Sequence, residues 1–332
     1  MRVLLGSPRG FCAGVDRAID IVDLALDLYG TPVYVKHEIV HNRFVVDRLR
    51  ERGAVFVEHV EEIPEGTVAV FSAHGSPPSD YAGARARGLR LIDATCPLVT
   101  KVHLEARRYA KEGYTILLIG HRGHVEPIGT AGEAPENTIL IETADDARAV
   151  AVPNPEKVAY LTQTTLSVDD TRDIIAVLTA RFPNIVAPPS ADICYATTNR
   201  QQAVKEIARD AEVVFVVGSK NSSNSNRLRE VAEVSGARAY RIDRVSEIDP
   251  AWLAGVETVG VTAGASAPEV LVDEVLQFLK GHGGERVEEV VAVPEHVRFP
   301  LPQELTREAA VQGKRLDQLQ KHTITQGMVM RK

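Results

Sequence analysis

The sequence is poor in cysteine, and the cysteines that it has lie far apart. Cys12, Cys96 and Cys194 are the whole complement of the 332-residue chain, and no two of them form a Cys-x-x-Cys pair. Because their number is odd, they cannot all be paired in disulfides, and they are one short of a four-thiolate zinc site. The cysteines therefore need another explanation.

Long hydrophobic runs are also missing. The opening segment MRVLLGSPRG lacks the apolar stretch of a secretory signal peptide. No later run approaches the about 20 apolar residues of a membrane span. We therefore expect a cytoplasmic protein with reduced thiols and no membrane partner. The chain is 44% hydrophobic and 25% charged, which is ordinary for a globular protein, and it is long enough for two or three domains.

An excess of positive charge and the common nucleotide-binding motifs are absent as well. The formal net charge of −7 argues against a nucleic-acid partner, because such binding depends on Lys and Arg at the phosphates. The segment GSKNSSNSN lacks the spacing and the second glycine of a P-loop, and no Gly-x-Gly-x-x-Gly pattern follows a strand. A built-in nicotinamide site is therefore unsupported, and any bound anion must meet a local positive potential.

What the sequence does contain is a repeated α/β pattern. Short apolar runs alternate with helical stretches, which is typical of parallel strands buried on both faces: TPVYV, TVAVFS, YTILLIG, KVAYLTQ, EVVFVVGS and TVGVTAG. A helical stretch also follows each cysteine, and a further predicted strand precedes each one: RVLLGS, LRLIDAT and NIVAPPSADI. The pattern predicts three similar small α/β units with mainly parallel sheets, arranged pseudo-threefold around one centre.

The predicted domain boundaries follow the cysteines. We expect a first α/β unit over residues 1–95, a second over 96–193 and a third over 194–302, with a C-terminal tail over 303–332. The N-terminal strand should complete the third unit beside the segment ERVEEVVAVP near residue 290. From residue 306 onward the tail has six basic and two acidic residues. A short helix packed on the body is favoured there over a docking surface for an acidic electron carrier.

Polar loops recur after the predicted strands. In each unit a first loop reaches its polar residues 28 or 29 residues after the cysteine, and a second loop does so 62 to 72 residues after it. Loops at the carboxyl ends of parallel strands line a binding crevice, so we expect cysteines and loops to converge on one centre. The candidate loop residues are His41, His74, His124, Glu126, Thr164, Thr165, Ser222, Ser223, Asn224 and Ser266.

Each of these features also has a plainer explanation. Cysteine is often simply a small buried side chain, and Ser or Asn commonly caps a helix. Three cysteines at matching helix starts make burial alone the weaker explanation. A helix N-terminus lowers the pKa of a thiol and favours the metal-binding thiolate. Three thiolates fit an iron–sulfur cubane with one open iron, or a zinc site with a histidine as the fourth ligand.

The loop side chains indicate the kind of ligand. The serines and Asn224 are compact hydrogen-bond donors, and the histidines can be cations, a set that suits a diphosphate or another polyanion. Glu126 lies two residues after His124. In a cleft with an anion and a histidine its pKa should rise, which would make it a proton donor.

Nine segments, in order, carry a resemblance to a known family: GFCAGVDRAI, HEIVHN, SAHG, DATCPLVTKVH, GHRGHVEPIGT, LTQTTLS, CYATTNRQ, GSKNSSNSNRL and AGASAPE. From about Met1 to Pro302 the chain resembles the 4-hydroxy-3-methylbut-2-enyl diphosphate reductases, the LytB-type reductases of the methylerythritol phosphate route to isoprenoids. The resemblance implies three α/β domains around one central [4Fe–4S] cluster per chain, held by Cys12, Cys96 and Cys194.

The resemblance also implies a reaction. It is the two-electron reductive dehydroxylation of 4-hydroxy-3-methylbut-2-enyl diphosphate to isopentenyl and dimethylallyl diphosphate. The open iron would bind the allylic hydroxyl, Glu126 with His124 would deliver protons, and Thr164 would orient the hydroxyl. Electrons would come from an outside carrier such as ferredoxin or flavodoxin. The implied substrate-binding residues are His41, His74, His124, Thr165, Ser222, Ser223, Asn224 and Ser266.

Two other functions remain as alternatives. A thiol hydrolase needs one cysteine beside a histidine base, and the matching placement of all three cysteines argues against it. An iron–sulfur sensor that binds a diphosphate without turnover is harder to separate from an enzyme, because sensing and catalysis can use the same ligands. The oligomeric state is left open.

Overall fold

The computed structural model of the protein describes residues 1–314. Within them, short strands alternate with helices along the chain, as the apolar runs predict. Residues 315–332, the greater part of the predicted tail, lie outside the described residues. No helix between residues 1 and 314 is both long enough and apolar enough to cross a membrane.

The strands are four to six residues long and rich in β-branched residues. In chain order they are β1 (Arg2–Ser7), β2 (Val33–Lys36), β3 (Ala54–Val57), β4 (Val68–Phe71), β5 (Arg90–Asp93), β6 (Thr115–Ile119), β7 (Thr138–Ile141), β8 (Val158–Thr162), β9 (Val213–Val217), β10 (Arg238–Ile242), β11 (Thr258–Ala263) and β12 (Arg286–Val291).

The helices between them begin at polar or proline residues that favour helix starts. In chain order they are α1 (Ala13–Tyr29), α2 (Arg43–Glu51), α3 (Pro78–Ala86), α4 (Pro97–Lys111), α5 (Val125–Gly132), α6 (Ala144–Ala149), α7 (Val168–Arg181), α8 (Tyr195–Ala208), α9 (Ser223–Val234), α10 (Glu269–Gly281) and α11 (Gln303–Val311).

The strands form parallel sheets with the orders β10-β9-β11-β1-β12, β3-β2-β4-β5 and β7-β6-β8. In the first sheet, Leu4 of β1 lies opposite Gly260 of β11 and Glu288 of β12. Every residue of β9 is buried, because an interior strand of such a sheet is covered on both faces. The predicted α/β class with parallel sheets is confirmed.

The chain divides into two compact units. Unit 1 consists of Met1–Leu28, Val40–Arg52 and Tyr195–Lys332, and unit 2 consists of Tyr29–Ile39 and Gly53–Cys194. The sheet that contains β1 belongs to unit 1, and the other two sheets belong to unit 2. The division into three units with boundaries near residues 95 and 193, and their pseudo-threefold arrangement, stay predictions.

The N-terminal strand is central to the sheet of unit 1. β1 pairs with β11 on one side and with β12 on the other, where Ser7 lies opposite Val291. The opening residues of the chain and the segment near residue 290 are therefore neighbours in one sheet. This pairing places Cys12, which follows β1, at the carboxyl edge of the sheet of unit 1.

One predicted strand does not form. In the segment NIVAPPSADI, Val186 makes an isolated bridge to Ala159, and the prediction of a strand there is wrong. Pro188 and Pro189 follow after one further residue, and proline has no N–H to donate to a ladder. At the end of β8 the side chain of Asp192 accepts the Thr162 N–H at 2.9 Å instead.

The beginning of the predicted tail packs as a helix. In α11, Leu305 and Ala309 are buried. Just beyond the helix, Gln312 Nε2 donates to the Leu28 carbonyl at 3.1 Å and Lys314 Nζ donates to the Asp27 carbonyl at 2.5 Å. These acceptors belong to the last turn of α1, where carbonyls lack helical partners. The packed helix favoured by the sequence is thus present over Gln303–Val311, whereas residues 315–332 are not described.

Candidate functional site

Each cysteine lies at the start of a helix, as predicted. Cys96 is the N-cap residue of α4, and Cys12 and Cys194 directly precede α1 and α8. The backbone N–H of each cysteine donates to a carbonyl in a loop that follows a strand. These bonds run from Cys12 to Ala265 at 3.2 Å, from Cys96 to Ala73 at 3.0 Å and from Cys194 to Thr164 at 3.0 Å. The same local arrangement therefore recurs at all three positions.

The Cys12 thiol does not have the lowered pKa that its helix start predicts. Burial raises its pKa above the ordinary value, and this outweighs the opposing effects of the Arg200 guanidinium and of the Val15 and Gly14 N–H groups. A thiolate at Cys12 therefore needs a further positive partner. A bound metal provides one, because a coordinating thiol is deprotonated outright.

Glu126 and Thr164 form a buried pair in unit 2. Glu126 lies in the first turn of α5, and Thr164 lies in the loop after β8. The Thr164 N–H donates to Glu126 Oε1 at 2.6 Å, and the Thr164 hydroxyl donates to Oε2 at 3.1 Å. Burial raises the pKa of Glu126 to about 7, against the opposing effect of both Thr164 donors. The direction is the predicted one, but its first cause is burial and not a neighbouring anion and histidine.

Two of the candidate histidines are neighbours in unit 2. His124 is the N-cap of α5, and its Nδ1 accepts the Glu126 N–H at 3.2 Å. When the His124 ring is neutral, its proton is therefore on Nε2, which leaves that nitrogen as the donor. His74 packs edge-to-face against His124 with ring centroids 6.2 Å apart, and its Nδ1 is 3.2 Å from the Ser72 hydroxyl.

At the start of α9 in unit 1, Ser225 is tightly packed and forms hydrogen bonds with Ser222. Ser222 is the N-cap, and its Oγ accepts the Ser225 N–H at 3.3 Å and the Ser225 hydroxyl at 3.0 Å. A Cβ atom at Gly218 or at Gly264 would overlap the Ser225 hydroxyl. Helix capping thus explains the serine at position 222. Glycine is needed at positions 218 and 264, because Ser225 packs directly against the backbone there.

Two further candidate residues in unit 1, Asn224 and Ser266, form hydrogen bonds that connect neighbouring loops. Asn224 accepts the Ala265 N–H at 2.9 Å and donates to the Thr197 hydroxyl at 3.3 Å. The Ser266 hydroxyl donates to the His41 carbonyl at 2.9 Å. These bonds join the start of α9, the loop after β11 and the segment before α2. The loops that contain Asn224 and Ser266 thus lie at the carboxyl ends of β9 and β11, as predicted.

The LytB protein family model matches residues 3–280 of the chain. The chain belongs to the LytB family. It is 57% identical over 303 residues to the 4-hydroxy-3-methylbut-2-enyl diphosphate reductase of Azoarcus sp. (strain BH72), which covers 91% of this chain and 97% of that protein. It is 58% identical over 316 residues to the protein of the same name from Acidothermus cellulolyticus, with coverage of 95% and 93%.

Two solved structures of similarly named reductases have a fold similar to that of this LytB-family chain. The E-1-hydroxy-2-methyl-but-2-enyl-4-diphosphate reductase from Plasmodium falciparum is similar with a TM-score of 0.90 at 38% identity, over 94% of this chain and 99% of that one. A second structure, of an (E)-4-hydroxy-3-methyl-but-2-enyl diphosphate reductase, has a TM-score of 0.61 at 32% identity, over 85% of this chain and 100% of that one.

The candidate residues of this LytB-family chain are divided between its two units. Unit 1 contains Cys12, His41, Ser222, Ser223, Asn224 and Ser266. Unit 2 contains His74, Cys96, His124, Glu126, Thr164, Thr165 and Cys194. Within unit 2, the Thr165 hydroxyl accepts the Gln163 side-chain amide at 2.9 Å. Convergence of both sets on one centre stays a prediction.

Two fully buried polar residues of the LytB-family motifs were not among the candidates predicted from the sequence. Ser225, in GSKNSSNSNRL, supports Ser222, and Arg200, in CYATTNRQ, contacts the loop before Cys12. The available signal for Arg200 was a basic side chain in the motif that follows the third cysteine. Composition could not show that its charge is buried, because many arginines on helices are exposed.

Proposed function

We propose that this LytB-family chain is an iron–sulfur oxidoreductase, a 4-hydroxy-3-methylbut-2-enyl diphosphate reductase. It removes the allylic hydroxyl of its substrate and gives isopentenyl and dimethylallyl diphosphate. Two electrons and two protons are consumed, and the hydroxyl oxygen leaves as water. The observation that carries the proposal is the burial of Glu126, because it raises the pKa of that carboxyl group to about 7 in a chain of this family, against the opposing effect of the two Thr164 donors.

Cys12, Cys96 and Cys194 would hold one [4Fe–4S] cluster per chain. The chemistry of the donor set fits: each thiol is partly buried at a helix start, and the Cys12 thiolate needs a positive partner. When bound, such a cluster supplies single electrons and, with three protein thiolates, one iron that can act as a Lewis acid. Electrons come from an external donor such as ferredoxin or flavodoxin, in the cytoplasm.

Glu126 supplies the proton that the departing hydroxyl needs. The protonated carboxyl is the stable buried form below about pH 7. After the proton has left, the carboxylate accepts hydrogen bonds from the Thr164 N–H and hydroxyl, so that the new charge is not left without donors. Thr164, whose hydroxyl lies at the carboxyl group, is proposed to orient the substrate hydroxyl toward the same atoms. His124, hydrogen-bonded to the Glu126 N–H, assists the transfer.

The diphosphate is held by neutral donors and imidazoles instead of a P-loop. The start of α9 presents backbone N–H groups and the positive end of a helix dipole, which favours anions. The imidazoles are side chains that can carry positive charge, and they are the proposed source of local positive potential in the acidic chain. The proposed binding residues are His41, His74, His124, Thr165, Ser222, Ser223, Asn224 and Ser266.

Anaerobic purification tests the proposal. Iron and sulfide should each amount to about four per chain, and the reduced protein should convert the hydroxylated diphosphate to the two C5 diphosphates. Glu126→Gln should abolish steady-state reduction and retain the cluster and the binding of inorganic diphosphate. A colourless, zinc-loaded protein that stays colourless after anaerobic reconstitution would contradict the proposal, as would a cluster-loaded protein without turnover.

A further inference from the structure

Arg200 is a buried cation next to the loop that carries Cys12. Its side chain is 0% exposed and belongs to α8. Nε and Nη2 donate to the Gly10 carbonyl at 3.0 and 2.7 Å, and Nη2 also donates to the Phe11 carbonyl at 3.1 Å. These two carbonyls immediately precede Cys12, so the planar guanidinium fixes the orientation of the peptide groups that lead into the cysteine.

The rest of the guanidinium is satisfied by one carbonyl and one carboxylate. Nη1 donates to the Ala196 carbonyl and to Glu295 Oε2, each at 3.1 Å, and Nη2 donates to Glu295 Oε1 at 3.2 Å. Glu295 follows β12, its side chain is 13% exposed, and it also accepts the Asn199 amide at 3.0 Å. Among residues 1–314, Glu295 is thus a carboxylate in direct contact with Arg200, and both charges of the pair are largely removed from solvent.

The loop between β1 and α1 is held closely on its other sides as well. The Gly10 and Cys12 N–H groups donate to the carbonyls of Ala263 and Ala265, each at 3.2 Å. Gly10 has a φ of +65°, and a Cβ there would lie 3.1 Å from the Ala267 carbonyl oxygen. A buried ion pair seldom improves stability over apolar residues of similar size. Stability alone therefore does not explain the buried Arg200 charge beside this loop, and its position indicates an effect on Cys12.

We propose that Arg200 is a positioning residue that fixes the Cys12 loop, and that its buried charge raises the reduction potential of the group bound by Cys12, while Glu295 lowers it. The inference rests on the proposed function in so far as that group is the redox cluster. Reduction adds negative charge, so a nearby cation favours the reduced state and a nearby anion opposes it. Removing one or the other charge should therefore move the potential in opposite directions.

The test is a redox titration of anaerobically purified holoenzyme, followed by electron paramagnetic resonance. In Arg200→Met the ratio of reduced to oxidised cluster at a fixed potential should fall at least tenfold, a downward shift of about 59 mV for a one-electron couple. Glu295→Gln, which keeps the side-chain shape, should shift the potential upward. Arg209→Met is the matched control, because Arg209 is 67% exposed and solvent screens its charge.

Equal potentials in Glu295→Gln and the wild type would overturn the electrostatic part, even if Arg200→Met failed to fold. Amide hydrogen exchange tests the positioning part, and it is compared between wild type and variant at equal cluster content, so that a difference in cluster loading does not affect the result. In Arg200→Lys, which keeps the charge but loses the planar fork, exchange at the Cys12 N–H should become at least tenfold faster, with unchanged exchange in β9. Unchanged exchange at Cys12 would overturn that part. A wild-type protein without cluster would contradict the proposed function and leave the exchange result valid.

Discussion

Replacing Thr164 with valine should make Glu126 a weaker acid and extend activity to higher pH. The Thr164 hydroxyl donates to Glu126 Oε2 at 3.1 Å, and the backbone N–H donates to Oε1 at 2.6 Å. Valine has nearly the same shape and keeps the N–H, but it has no hydroxyl. The ionised carboxylate therefore loses one of its two Thr164 donors, whereas the protonated form loses less, and the pKa of Glu126 rises above about 7.

The size of the shift follows from the energy of one hydrogen bond. A hydrogen bond to a charged group contributes ~1.5–3 kcal/mol, and a change of one pH unit in pKa corresponds to ~1.4 kcal/mol. Thr164→Val should therefore raise the pKa of Glu126 by about one to two pH units. A general acid acts in its protonated form, so activity falls as pH rises through its pKa. The basic limb of the profile, near pH 7 in the wild type, should move upward.

The assay is the pH dependence of kcat/KM with a chemically reduced one-electron donor, which keeps the electron supply constant. Thr164→Ser retains the hydroxyl and is the matched control, so its basic limb should stay near that of the wild type. The maximal kcat/KM of Thr164→Val is also expected to fall, because Thr164 is proposed to orient the substrate. The pH midpoint of the basic limb is a separate readout and does not depend on that maximum. A basic limb that stays in place or moves downward in Thr164→Val would refute the argument.

Two more predictions concern packing and a buried charge. Gly264→Ala should displace Ser225 and, through their hydrogen bond, Ser222. The Kd for inorganic diphosphate, measured by calorimetry, should therefore rise by about tenfold, which corresponds to ~1.4 kcal/mol. Gly281→Ala is the control and should leave that Kd unchanged, because a Cβ there meets nothing within 4 Å. Lys101→Met should lower the free energy of unfolding by about 3–5 kcal/mol in denaturant titration, because it leaves Asp192, whose side chain is 0% exposed, without its cation. The same loss in Lys111→Met, an exposed position on α4, would show that the buried pair is not the cause.

The strands and polar loops were predictable because each depends on a short pattern in the sequence, an apolar run followed by polar residues. Each strand is short and apolar, and the polar residues follow where the apolar run ends, as at His124 after β6 and Ser222 after β9. The segment before Cys194 was mispredicted for a local reason too. Its apolar residues suggested a strand, but its prolines cannot continue a ladder, and an Asp192 carboxylate accepts the Thr162 N–H instead.

The sequence by itself determined the α/β class, the helix start at each of Cys12, Cys96 and Cys194, and the family, since these depend on short-range patterns and ordered motifs. Only the tertiary structure decided the chemistry of particular side chains. The pKa of Glu126 rises because it is buried, and the charge of Arg200 matters because it is desolvated beside the Cys12 loop. Desolvation depends on all the chain segments packed around a group, many of them distant in sequence, so no local pattern contains it.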